Sequence, residues 1–196
     1  MNSTTGSFMR YCTKLLSLLL LWLLTSLALA DGIQVDKAQA RQSEDGYQLA
    51  VEYGINLNFA LQQALSRGIP LYFVSEFSLT RSRWYWLDED IFHSEQTTKF
   101  SYNVLTRQYR ISRGALYQNF ASLDEALNTL ARQSSGTIPM AMLGKANSYV
   151  AEVRLRLDTT QLPKLLQVNA LTGRDWNLDS EAYRWVIRIN GEGRPE

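Results

Sequence analysis

Apolar and polar side chains exchange places residue by residue along much of this chain. The clearest run is Val153, Leu155 and Leu157, alternating with Glu152, Arg154, Arg156 and Asp158. An extended strand points successive side chains to opposite faces, so such a run buries one face and wets the other. The same period recurs at Tyr47, Leu49, Val51 and Tyr53, and at Phe73, Phe77 and Leu79 with Ser75 among them. It returns at Phe100, Tyr102 and Val104, at Tyr109 and Ile111, and at Tyr183, Trp185, Ile187 and Ile189. Ile33, Val35, Ala38 and Ala40 begin it weakly. Eight or so half-buried strands joined by short turns predict a mainly β (α+β) fold, an antiparallel sandwich-like domain.

Punctuation supports that reading. Ser43-Glu44-Asp45-Gly46 is a turn, and the parity switch across 105–108 predicts a hairpin, with Leu116 to Phe120 extending the sheet. After Leu79 the large apolar groups move to Trp84 and Trp86, so a bulge, turn or sheet change is expected within Thr80–Arg83. Leu87-Asp88-Glu89-Asp90 reads as a polar loop, and 134–148 as irregular chain. Leu162-Pro163 reads as a break, Trp176 and Leu178 as a short strand, and 191–196 as a frayed tail. Two inserted helices are predicted. One has Phe59, Leu61, Ala64 and Leu65 on one face, Asn58 as cap and Gly68 as stop. The other follows the Ser122–Glu125 capping box, with Leu123, Ala126, Leu127 and Leu130 as its stripe.

Residues 1–30 differ from the rest. Arg10 and Lys14 precede the apolar run Leu15 to Leu24, and Ala28-Leu29-Ala30 places small residues before Asp31. These are the three parts of a cleaved secretory signal peptide, which leaves 31–196 as a single β-rich globular domain. The alternative is an uncleaved anchor in the inner membrane, but the apolar run is short of the ~20 residues a spanning helix needs. The only cysteine, Cys12, departs with the leader. Thiol-free export points to a periplasm, with no stable membrane span after cleavage. Arg10 and Lys14 are the only charges lost, so 20 basic residues become 18 against an unchanged 19 acidic. That balance offers no electrostatic reason to expect nucleic acid.

The chemistry available after the leader is narrow. One histidine, His93, and no thiol exclude cysteine nucleophiles and multi-histidine or thiolate zinc sites. No nucleophile elbow, phosphate loop or dinucleotide fingerprint occurs, and no cofactor, metal or catalytic residue is expected. Asp88, Glu89, Asp90, His93 and Glu95 are the densest ligand-like group. Their spacing fits no EF-hand loop, which favours a solvated loop over a metal site or carboxylate pair. The most distinctive segment is Arg81-Ser82-Arg83-Trp84-Tyr85-Trp86. Arginines beside aromatics suit interface contacts, so Arg81, Arg83, Trp84, Tyr85 and Trp86 are candidate binding residues, with Arg107, Arg110 and Arg113 extending a basic surface. The alternative places Trp84 and Trp86 in the core. Met140 and Met142 suit either an adaptable lip or a loop closing the sandwich end.

The run Ala64 to Phe73, the segment Arg81 to Glu89, Ser101-Tyr102, Leu105 to Arg110 and Leu162-Pro163-Lys164 together carry a resemblance. They resemble a proteobacterial family of exported proteins known only as a domain of unknown function, some labelled "proline-rich signal peptide protein". With four prolines, this chain does not fit the label. The resemblance implies no activity or catalytic residue. It implies envelope signalling, because genes of that family often adjoin those of a nitrogen-regulation-type sensor kinase. The expected function is a non-enzymatic periplasmic module that binds an envelope protein such as a membrane sensor kinase. The alternatives are a carbohydrate- or lipid-binding module and, third, a carboxylate-dependent hydrolase using Asp88 and Glu89.

Overall fold

The computed structural model describes residues 32–81, 88–144 and 148–188. The expected leader, the segment from Ser82 to Leu87 and the polar tail lie outside the described residues. Two antiparallel sheets organise the rest. In the smaller, β1 (Ile33–Ser43), β2 (Gly46–Ile55) and β7 (Arg132–Ser134) lie side by side, and the short β8 (Ile138–Pro139) also pairs with β2. The larger has the order β10 (Tyr183–Arg188), β9 (Ser148–Leu157), β3 (Leu71–Arg81), β4 (Glu89–Asn103), β5 (Gln108–Arg113) and β6 (Leu116–Phe120).

The alternating positions supply one shared interior. Tyr47, Leu49, Val51 and Tyr53 from β2 join Phe73, Phe77 and Leu79 from β3 and Tyr149, Val153 and Leu155 from β9 in a single buried cluster. Each such aliphatic or phenyl side chain contributes about 1.5–3 kcal/mol when fully removed from water. The architecture is the sandwich-like arrangement that the alternation predicts.

Buried serines finish both sheets where strand pairing stops. Ser135 donates its N–H to the Leu49 carbonyl at 2.8 Å, and its Oγ accepts the Leu49 N–H at 2.9 Å. Ser180 does the same for Leu155, at 2.8 and 2.9 Å. In each case a hydroxyl oxygen replaces the carbonyl that a neighbouring strand would have offered, so the buried leucine amide keeps a partner.

Two bulges reset the pleat. In β1 the register slips between Val35 and Lys37, leaving Asp36 as the extra residue. This is why the apolar parity moves from Ile33 and Val35 to Ala38 and Ala40. In the β3–β4 ladder Leu79 pairs with Phe92 and Thr80 with Asp90, so the extra residue is Ile91. The irregularity expected within Thr80–Arg83 thus begins at Leu79/Thr80, and β4 carries the added residue.

Four local readings are corrected. Glu89 and Asp90 open a fifteen-residue strand rather than lying in a loop, because β3 offers them a ladder and Arg81 pairs with Glu89 at 3.3 Å. In α1 (Phe59–Ser66), Asn58 caps Leu61 N–H and Leu61, Ala64 and Leu65 are buried as expected. Phe59 is 78% exposed, because it stands at the helix entry before the buried stripe begins. Helix α2 (Leu123–Ala131) is capped by Ser122 as read. A third helix, α3 (Lys164–Thr172), follows Pro163, whose carbonyl accepts from Leu166 and Gln167. That proline starts a helix rather than merely breaking a strand. Trp176 closes a single helical turn and Leu178 flanks one isolated bridge, Arg156 with Asp179; both side chains are buried without forming a strand.

Candidate functional site

The Asp36 bulge decides what the outer face of the smaller sheet presents. Beyond it Lys37, Gln39 and Arg41 share the face opposite Ala38 and Ala40. Register then places Lys37 beside Glu52 and Glu52 beside Arg132, forming a charged row across β1, β2 and β7. The next row is Gln39, Ala50 and Ser134. Ala50 is the small residue between longer neighbours, and the result is a trough of about 430 Å³ lined by these residues with Arg41, Val51 and Gln133.

Its charge is lopsided. Lys37, Arg41 and Arg132 face a single carboxylate, Glu52, whose Oε1 lies 3.5 Å from Arg132 Nε. Lys37 and Arg41 make no ion pair with any described residue. The outer face of the larger sheet is different. There Arg156 pairs with Glu76 at 2.6 Å, Arg184 with Glu152 at 2.5 Å, and Arg154 with Asp179. Hydrogen bonds to Asp179 and Glu76 push the Arg154 and Arg156 pKa values above the ordinary guanidinium range. Cations that already hold carboxylates have less to offer a ligand. In the trough Arg41 donates only to the neutral Gln39 amide oxygen, and Lys37 and Arg41, with amides and a hydroxyl beside them, are groups that hold an anion by charge and hydrogen bonding.

The residues singled out from sequence are dispersed. Arg83, Trp84, Tyr85 and Trp86 lie outside the described residues. Arg81 ends β3 and turns toward Tyr149, with its Nη2 3.3 Å from the hydroxyl and its guanidinium 5.5 Å from the ring centre. The same hydroxyl accepts from Gly144 N–H at 2.7 Å, so Arg81 fastens strand ends together. Arg107 sits in the β4–β5 turn at φ 53°. Arg110 lies over the Tyr117 ring at 4.5 Å and donates to Asn119 Oδ1 at 2.8 Å. Arg113 belongs to the opposite face of β5. Arg81 and Arg107 mark opposite ends of β4, about 45 Å apart at ~3.3 Å per residue. They do not form one basic surface.

The acidic group also fails to converge. Glu89 is tied to Arg81, Asp88 is exposed, and His93 and Glu95 lie 3.6 Å apart on the wet side of β4. Among the described residues no group of three or more His, Cys, Asp or Glu is placed to hold a metal ion. Met140 and Met142 are exposed, while Ile138 beside them is buried.

The model of a domain of unknown function, DUF4390, matches residues 30–186. The chain belongs to the DUF4390 family. No curated protein and no solved structure matches it. The smaller sheet, the trough and all of the larger sheet but the last two residues of β10 fall inside the DUF4390 span. Among the described residues of this DUF4390 chain, no helix is long and apolar enough to cross a membrane. Sequence reasoning overlooked the trough. The polar series Lys37, Gln39 and Arg41 was its visible trace, but the pairing that adds Glu52 and Arg132 was not.

Proposed function

We propose that this DUF4390 protein is exported through its N-terminal leader and works in the periplasm as a non-enzymatic binding module. Its partner is an acidic segment of an envelope protein, and the extracytoplasmic part of a membrane sensor kinase is the class suggested by the family resemblance. The observation that carries the reading is the trough: Lys37 and Arg41 line a concave surface without carboxylate partners among the described residues. An acidic chain laid there gains charge-assisted hydrogen bonds that the folded protein leaves unmade.

The test uses protein purified after expression of the full chain. Fluorescein-labelled hexaglutamate is expected to bind and hexalysine not to bind. Binding should weaken as salt rises, because exposed charges are screened. The Lys37→Glu/Arg41→Glu double variant should lose it. Equal binding of both peptides, or indifference to the double variant, refutes the trough as the binding surface. Export is tested separately by fractionating the native host and sequencing the N-terminus. Intact protein in the cytoplasm would overturn that part.

A further inference from the structure

The longer strands that border the sheets, β1, β10 and β6, are not equally protected. Unpaired strand edges invite another chain, and proteins usually blunt them with charge, proline or a bulge. Strand β1 has the Asp36 bulge with Lys37 and Arg41, and β10 carries Arg184 and Arg188. Strand β6 has none of these devices. Its sequence is Leu-Tyr-Gln-Asn-Phe, Leu116 is 79% exposed and Tyr117 is 63% exposed. Among the described residues only β5 pairs with it.

The geometry also identifies the free backbone groups. Arg113 pairs with Leu116 across Gly114-Ala115, and Gly114 has φ 57°. A positive φ at the first of two turn residues is the requirement of a type II′ hairpin, which glycine meets without strain. A two-residue hairpin closes with a hydrogen-bonded pair, so Leu116, Gln118 and Phe120 direct their amides toward β5. Tyr117 and Asn119 direct theirs outward.

A small cavity of about 180 Å³ lies along this edge, lined by Ile111, Arg113, Leu116, Tyr117, Gln118 and Thr129. Arg113 donates there to Thr98 Oγ1 at 3.3 Å and to the Thr129 and Arg132 carbonyls at 3.4 and 3.3 Å. All three acceptors are neutral, and Arg113 has no carboxylate partner among the described residues. On the opposite face Arg110, stacked on Tyr117, also lacks one.

We infer that the free edge of β6 accepts an extended segment of a partner protein by strand addition, with acidic side chains of that segment meeting Arg113 and Arg110. Backbone bonds at Tyr117 and Asn119 supply affinity, and the two arginines select carboxylates over other side chains. This surface is separate from the trough and does not depend on it.

The experiment measures fluorescence polarisation of labelled Thr-Val-Glu-Thr-Val-Glu-Thr, whose glutamates, three residues apart, fall on opposite faces as Arg113 and Arg110 do, on protein purified after expression of the full chain. Binding is expected, with a loss of roughly tenfold when both glutamates of the probe become glutamines. N-methylation of alternate probe amides should abolish binding in one of the two phases and spare it in the other, leaving the protein untouched. Arg113→Gln should weaken binding, and Asn119→Pro should remove it, with thermal melting confirming that each variant folds. No binding up to about 1 mM, a limit of some 4 kcal/mol, overturns the proposal. Equal affinity for the glutamine probe, or indifference to both N-methylation phases, also overturns it. A dimer abolished by Asn119→Pro would assign the edge to a second copy instead. Binding lost in the Lys37→Glu/Arg41→Glu variant but kept in Arg113→Gln would overturn strand addition while supporting the trough.

Discussion

Among the described residues three serines are almost wholly buried, and one substitution should affect them with opposite signs. Ser135 and Ser180 each satisfy a leucine amide, those of Leu49 and Leu155. Ser75 is 0% exposed between Phe73 and Phe77, and its Oγ has no hydrogen-bond partner. Ser135→Ala or Ser180→Ala strands a buried N–H, which costs about 1–3 kcal/mol. Ser75→Ala removes an unsatisfied hydroxyl, relieving a desolvation penalty of similar size, less the contacts of one lost oxygen. A net gain of about 1 kcal/mol is expected, raising Tm by roughly 2–4 °C in a chain of this length. Urea unfolding followed by tryptophan fluorescence measures all three, and unchanged m-values would show that stability alone moved. The Ser135/Ser180 double variant should be additive, since the two serines share no partner. If Ser75→Ala destabilises as much as the other two, the hydroxyl accounting is wrong.

Three further outcomes are expected. Gly46→Ala places a Cβ against the Ile138 carbonyl, so β8 must shift, and a loss of about 1–3 kcal/mol in urea unfolding should follow. Tyr53→Phe should move the alkaline unfolding midpoint upward. Burial, reinforced by Glu76, raises the Tyr53 pKa. The proton's contribution is therefore whole below the unfolded value of about 10 and is lost as pH climbs toward the folded one. A midpoint that stays in place by circular dichroism would contradict this. In the trough, Glu52→Gln removes the only carboxylate and should tighten hexaglutamate binding by roughly two- to fivefold, the scale of an exposed charge pair; weaker binding would show that Glu52 orients Arg132 instead.

Where burial imposes a period, the fold was legible. Tyr47 to Tyr53 and Val153 to Leu157 alternate because one side of each strand enters the common core. The first half of β4 was not legible, because its inward positions include Ser94 and Gln96 and it is held extended by β3 rather than by its own pattern. Helix α3 was missed for a related reason: Lys164 to Thr172 has no clear apolar stripe, so only Pro163 marked its start. Phe59 shows the converse error, since periodicity assigns a face but does not say where along a helix the covering layer ends.

The site was hidden by an average. Twenty basic residues against nineteen acidic argue against a strongly charged partner when the chain is treated as one body. Folding spreads those charges unevenly. Strand register on the larger sheet sets Glu76, Glu152 and Asp179 against Arg156, Arg184 and Arg154, and neutralises that face. The trough receives one carboxylate for three cations because the Asp36 bulge turns Lys37 and Arg41 outward where β7 contributes Arg132. Screening limits the reach of exposed charge to roughly 8–10 Å, so a ligand in the trough responds to this local excess and hardly to the chain's total. Deleting Asp36 puts Lys37 directly after Val35 and still opposite Glu52, so Lys37 and Arg41 keep the outer face and hexaglutamate binding should persist although the bulge is gone. Loss of binding in a folded deletion variant would show that the bulge itself, and not the outward facing of Lys37 and Arg41, sets the site.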